Sequence, residues 1–166
     1  MKVLIPIDGS DASLAPLHFV EQLRRERDDI EVVLLNVQPH FRRHVSRFST
    51  RALRDGMRAE RSAAAMARAV GVLSGGSVPF RTLTEVGLPA ERIAAVAQRE
   101  RVDEIMLGVG RHPAWLRALN PSIAEGAMAR TDIPVTVFAR GQASALERYA
   151  VPAGAVGLAA LLIAAE

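Results

Sequence analysis

The sequence predicts an α/β fold, a five-stranded parallel sheet covered by helices on both faces. Short apolar runs alternate with stretches of helical periodicity, an order that yields parallel strands joined by right-handed crossovers. The runs Val3–Ile7 and Ile30–Val37 carry consecutive apolar residues, as required where both faces of a sheet are covered. Of the 166 residues, 49% are hydrophobic and 23% charged, the balance of a chain that buries one core.

Each element has its own signal. Val3–Ile7 is the first strand, closed by the turn Asp8-Gly9-Ser10. Between Ala12 and Arg27, Leu14, Leu17, Phe19, Val20 and Leu23 recur at helical spacing, with Asp11 placed to cap the helix. Ile30–Val37 is the second strand. An arginine-rich segment then runs into a helix whose Ala59, Ala63, Met66, Val70 and Leu73 are expected to face inward. Ser74-Gly75-Gly76-Ser77 breaks that helix. Val78–Val86 reads as a more exposed strand, and Leu88–Glu100 as a helix with Ile93, Val96 and Ala97 inward. Glu104–Leu107 is the fourth strand, Ser122–Arg130 a short helix and Ile133–Phe138 the last strand. Ligands of such sheets sit at the carboxyl ends of the strands, where the strand order reverses. The loops Asp8–Asp11, Val37–His44 and Gly108–Ser122 are therefore the candidate site.

Composition removes several functions. Without cysteine, disulfides, thiolate metal sites and thiol nucleophiles are excluded. The net charge is +3, carried almost wholly by arginine, with Lys2 the lone lysine. One Trp and one Tyr give no stacking platform for bases, so nucleic acid is not an expected partner. His40 and His44 have the spacing of helical metal ligands, but they follow Pro39, lie among Arg42, Arg43 and Arg47, and lack a third ligand. No metal site is expected there. Arg51, Arg54, Arg58 and Arg61 form a basic stripe on the following helix. Ser74-Gly75-Gly76-Ser77 looks like a phosphate loop but precedes the third strand, where such a loop does not belong. No triad or paired-carboxylate arrangement follows from spacing, so no catalytic residue is assigned.

Three stretches, "VLIPIDGSDAS", "GLPAERIAAVAQRERVDEIMLG" and "PSIAEGAMARTDIPVTVF", stand in this order in the chain. Together they resemble the universal stress protein family, from Met1 to about Phe138. The resemblance implies a Rossmann-like domain, here over residues 1–140; composition reads the remainder, 141–166, as an apolar extension. It implies a homodimer acting in stress tolerance; many members of the family bind ATP and others do not. By that likeness adenine lies near Val37, ribose and metal near Asp8, and phosphates near Gly108 and Ser122. Pro6, Leu107, Arg111 and Ile123 complete the implied set.

The family's nucleotide signature is glycine, two residues, glycine, nine residues, glycine, then serine or threonine. Anchored on Gly108, it places Arg111 and Pro121 at the second and third glycines, with Ser122 retained. Glycine lets backbone N–H groups approach a phosphate and permits positive φ. Arginine fills that space, and proline removes a donor and fixes φ. The segment has the position of a phosphate loop but not its chemistry, and ATP binding is expected to be weak or lost. Ser122 and Glu125 also read as a capping box. Arg111 and His112, above the helix start, leave a simple anion as an alternative ligand.

Ala150–Ala165 is uncharged over sixteen residues and contains Pro152, Gly154 and Gly157. A membrane span needs about 20 apolar residues, so the expected reading is an arm packed on a partner or on the body. Membrane attachment through this tail is the competing one. The amino-terminal apolar run is too short for a signal peptide, and a cytoplasmic protein is expected. The leading functional expectation is a non-enzymatic stress-response dimer with an unidentified protein partner. An ATP-binding switch with slow ATPase activity, and an adaptor tethered by the tail to a membrane or partner, stand as alternatives.

Overall fold

The apolar runs of the sequence become the strands of one sheet. The computed structural model describes residues 1–40, 51–110 and 123–139. Five strands, β1 (Lys2–Pro6), β2 (Glu31–Gln38), β3 (Phe80–Val86), β4 (Glu104–Val109) and β5 (Val135–Ala139), lie in the order β3-β2-β1-β4-β5. All neighbouring pairs are parallel. A 3₁₀ turn (Ala12–Leu14) leads into α1 (Ala15–Glu26); α2 spans Arg51–Ser74, α3 Pro89–Glu100 and α4 Ile123–Met128.

Alternation along each strand divides the core in two. Val3 and Ile5 of β1, Val32 and Leu34 of β2 and Met106 of β4 pack with Leu17 and Val20 of α1 and Met66, Ala69 and Leu73 of α2. Leu4, Val33, Leu35, Ile105 and Leu107 pack on the opposite face with Ile93, Val96 and Ala97 of α3 and Ala124 and Ala127 of α4. Each large side chain so buried contributes roughly 1.5–3 kcal/mol. The predicted α/β architecture, with helices on both faces, is the one observed.

Both edge strands begin immediately after a proline. The Pro79 carbonyl accepts from the Val32 amide at 2.9 Å, and the Pro134 carbonyl from the Ile105 amide at 2.9 Å. A proline has no N–H to extend the ladder, so β3 starts at Phe80 rather than Val78, and β5 at Val135 rather than Ile133. Val78 is a buried core residue instead.

Two expectations are corrected. In α2 the buried positions are Ser62, Met66, Ala69 and Leu73, while Ala59 and Ala63 are exposed. Met66 and Leu73 are inward as expected and Val70 packs on the core, but one turn earlier the inward position is Ser62, whose hydroxyl meets that of Thr84 of β3 at 2.6 Å. Alanine has little area to gain from burial, so Ala59 and Ala63 can stay outside at small cost. The second concerns Asp11, which makes no side-chain cap and has helical φ and ψ of −63° and −28°. Its carboxylate pairs with Arg68 of α2, and the Ser13 amide donates to Ser10 Oγ instead, at 3.3 Å.

α3 ends at Arg101, the only non-glycine residue at positive φ among the described residues, with φ 51° and ψ 52°. An L side chain in this conformation costs about 1–2 kcal/mol, part of which glycine returns as chain entropy in the unfolded state. Arg101→Gly is therefore expected to stabilise the protein by about 0.5–1 kcal/mol. Denaturant unfolding checks this; an unchanged or lowered midpoint would show that Arg101 makes compensating contacts.

Candidate functional site

β1 lies at the middle of the sheet, and the chain reverses its direction of travel there, going outward to β2 and β3 and then returning to β4 and β5. The carboxyl edge between β1 and β4 is thus the crevice expected to take a ligand. On the β1 side, Ile7 is still buried and its amide donates to the Leu35 carbonyl at 2.8 Å. The chain then turns through Asp8-Gly9-Ser10. The Ser10 amide donates to Asp8 Oδ1 at 2.9 Å, and Ser13 Oγ to the Ser10 carbonyl at 2.8 Å. Gly9 adopts φ +86° against Ala65 of α2, which is the turn its residue type predicts. Partial burial pushes the Asp8 carboxyl up, but the Ser10 hydroxyl and amide and the Ser13 hydroxyl outweigh it and hold its pKa below the ordinary value. The crevice therefore presents a fixed carboxylate at the end of β1.

On the β4 side, Leu107 is buried and Gly108 lies against the 3₁₀ turn. A Cβ on Gly108 would stand 1.9 Å from the Ala12 carbonyl oxygen and 2.8 Å from Ser13 Cα. No side chain fits, so this contact between β4 and the Asp8 loop requires glycine whether or not a ligand is bound. On the β2 side, Asn36 is 3% exposed, donates from Nδ2 to the Ile7 carbonyl at 2.7 Å, and accepts from Gln38 Nε2. Val37, half-buried, lies on the opposite face of β2, the face covered by α3 and α4. Among the described residues, no three potential metal ligands come together.

The profile of the Universal stress protein family matches residues 1–139. The chain belongs to the universal stress protein family. No curated protein sequence matches it. Among solved structures, the hypothetical protein MJ0577 is 25% identical with a TM-score of 0.66, covering 84% of this chain and 96% of its own. A universal stress protein in complex with cAMP is 17% identical with a TM-score of 0.63, covering 83% of this chain and 96% of its own. A family member from Arabidopsis thaliana with AMP bound is 18% identical with a TM-score of 0.59, covering 85% and 92%.

In this universal stress protein, Pro6, Asp8, Leu107 and Gly108 are gathered at the β1–β4 edge. Ile123, 48% exposed, is the first residue of α4. Arg111, Pro121 and Ser122, with the capping box predicted for Ser122, lie outside the described residues, as do His44 and the apolar tail. His40 is exposed. Ser74 ends α2, and the glycines after it lead into β3 at the amino edge of the sheet, away from the crevice. No helix among the described residues is long and apolar enough to cross a membrane.

Asn36 and Ser13 are absent from the sequence-derived site. Asn36 had a readable signal, since it is the one polar residue in the run Val32–Val37, and a lone amide there must bond to backbone. Ser13 had none, because its partner is Ser10 and short-range hydroxyl contacts are common in any turn.

Gly108→Ala is expected to destabilise the protein by about 1–3 kcal/mol, because the Ala12–Leu14 turn must move to admit a methyl group. Denaturant unfolding together with amide shifts of residues 8–14 tests this. A variant of wild-type stability with unmoved shifts would contradict the packing role.

Proposed function

We propose that this universal stress protein is a non-enzymatic, cytoplasmic stress-response protein, with its family domain over residues 1–140 and weakened ATP binding. The observation that carries the reading is the mismatch between the Asp8 turn and the sequence that follows β4. The Asp8 turn is built and its carboxylate held ionised, whereas the sequence after β4 has Arg111 and Pro121 where the family signature has glycines. Asp8 and Val37 would receive the ribose and base, Pro6 and Leu107 would wall the crevice, and Gly108, Arg111, Ser122 and Ile123 would meet the phosphates. The proline and the arginine act against the last of these contacts.

Calorimetric titration with Mg-ATP is expected to give a dissociation constant weaker than about 100 μM, about −5.5 kcal/mol. Arg111→Gly combined with Pro121→Gly is expected to tighten it. A low-micromolar constant for the unaltered chain would refute the reading and favour an ATP-binding switch. A parallel titration with AMP tests a second reading, suggested by the structural neighbours described with cAMP and AMP. A single phosphate asks less of a damaged loop than three, so AMP bound more tightly than ATP would support it.

The same reading includes a homodimer formed through β5 and the tail. β5 is an edge strand among the described residues, and such an edge offers backbone groups to a symmetry mate. The sixteen uncharged residues from Ala150 to Ala165 form an apolar segment of the kind that marks an interface. Deleting residues 150–166 is expected to weaken self-association by at least tenfold, about 1.4 kcal/mol, in analytical ultracentrifugation. An equally tight dimer without them would assign the tail to a membrane or another partner.

A further inference from the structure

The register between β1 and β2 ends at Pro6 and Leu35, and the Ile7 amide makes one more rung to the Leu35 carbonyl. The next acceptor along this edge of β1 is the Ile7 carbonyl. It takes a side chain: Asn36 Nδ2 donates to it at 2.7 Å. Asn36 follows Val32 and Leu34 on the α2 face of β2 and is buried like them. A primary amide can be turned either way round, with its nitrogen or its oxygen toward a neighbour. Gln38, half-buried and two residues on, sets the direction, because its Nε2 donates to Asn36 Oδ1 and leaves the Asn36 nitrogen for Ile7. The Gln38 carbonyl accepts in turn from the Gly87 amide at 3.0 Å. A relay of hydrogen bonds therefore crosses the carboxyl edge of the sheet from the end of β3, through β2, to the end of β1.

The relay ends on the residue before Asp8. The Ile7 carbonyl belongs to the same planar peptide group as the Asp8 nitrogen. Bonds at the Ile7 amide and at its carbonyl hold the peptide groups on both sides of the Ile7 Cα, and so fix the direction in which the chain enters the turn. Within the turn, the Ser10 amide donates to the Asp8 carboxylate at 2.9 Å. That bond orders the carboxylate within the turn but does not fix the turn against the sheet. Asn36 supplies the second constraint. Asp11, the other carboxylate of the turn, pairs with Arg68 of α2 and stands outside the relay.

We infer that Asn36 is a positioning residue of the crevice: through the Ile7 carbonyl it sets where the Asp8 carboxylate stands, and Gln38 holds it in the orientation that does so. The inference rests on the reading of Asp8 as the contact for a nucleotide's ribose. A carboxylate serves a ribose only where its oxygens lie within hydrogen-bond reach of the hydroxyls, so a displaced turn weakens binding without any loss of the binding group.

Three variants of the whole chain test this. Asn36→Leu keeps the size of the side chain and removes the amide. Gln38→Met removes the bond that directs it, at a half-buried position that tolerates the change. Ser62→Ala is the control, since it removes a buried polar contact on the same face of the sheet, with Thr84, the register partner of Asn36, and leaves Ile7 untouched. The first readout is the titration of the Asp8 carboxyl carbon by NMR. In the unaltered protein, burial pushes this group up and the Ser10 and Ser13 hydrogen bonds hold it below the ordinary value. Its midpoint is expected to rise toward that value in Asn36→Leu, to rise less in Gln38→Met, and to stay in place in Ser62→Ala even if that variant is less stable. The second readout is AMP titration followed by the Val37 amide shift, expected to weaken at least about fivefold in Asn36→Leu and to be unchanged in Ser62→Ala. An Asp8 midpoint that moves in neither Asn36→Leu nor Gln38→Met overturns the inference. Equal movement in Ser62→Ala also overturns it, because the effect would then be a general loosening of the core. Should Asn36→Leu fail to fold, Gln38→Met decides. An unaltered protein that does not respond to AMP refutes the nucleotide reading of the crevice, while the Asp8 titration still decides the role of Asn36.

Discussion

Strands β2, β1 and β4 are packed on both faces, with Val3, Leu4, Ile5, Val32, Val33, Leu34, Leu35, Ile105 and Met106 all excluded from solvent. The buried middle of such strands cannot hold charge, which stays at their first residues Lys2, Glu31 and Glu104, and tolerates polar groups only in pairs. The buried polar side chains in and against the sheet obey this: Asn36 bonds the Ile7 carbonyl, Ser62 meets Thr84, and Thr136 donates to Glu104. The chemistry of the protein is thereby displaced to the ends of the strands. At the carboxyl end it concentrates in the Asp8 turn and the end of β4.

Gly108 has two reasons to be glycine, and they are separable. One belongs to the family's nucleotide signature; the other is the Ala12 carbonyl lying where a Cβ would be. The second holds in the absence of any ligand. The glycine of the signature that this chain keeps is thus one that its own packing demands, and the same positions farther along hold Arg111 and Pro121. Retention of a signature glycine is weak grounds for retained nucleotide binding when the fold would reject any other residue at that place.

What could be read in advance followed the strength of the physical signal. Consecutive branched residues located β2 and β4 to within a residue or two, and the turn at Gly9 was foreseen from residue type alone. The inward face of α2 was misread in part because Ala59 and Ala63 look apolar yet gain little from burial, while the polar Ser62 is inward with its hydroxyl against Thr84, a partner twenty-two residues away that the periodicity of the helix cannot reveal. Asp11 was misread for a related reason. A capping aspartate and an aspartate paired with Arg68 are identical in local sequence, and the arginine lies far along the chain.

The placement of β1 at the sheet centre bears on how the chain is made. Its neighbours are β2, which follows closely, and β4, which is synthesised about a hundred residues later. Until β4 emerges from the ribosome, β1 presents an open backbone edge of apolar residues to solvent. Such an edge is a template for pairing with other chains. The protein is therefore expected to depend on chaperone shielding during synthesis far more than its size or final stability would indicate, and a premature stop before residue 104 would leave a fragment prone to aggregate.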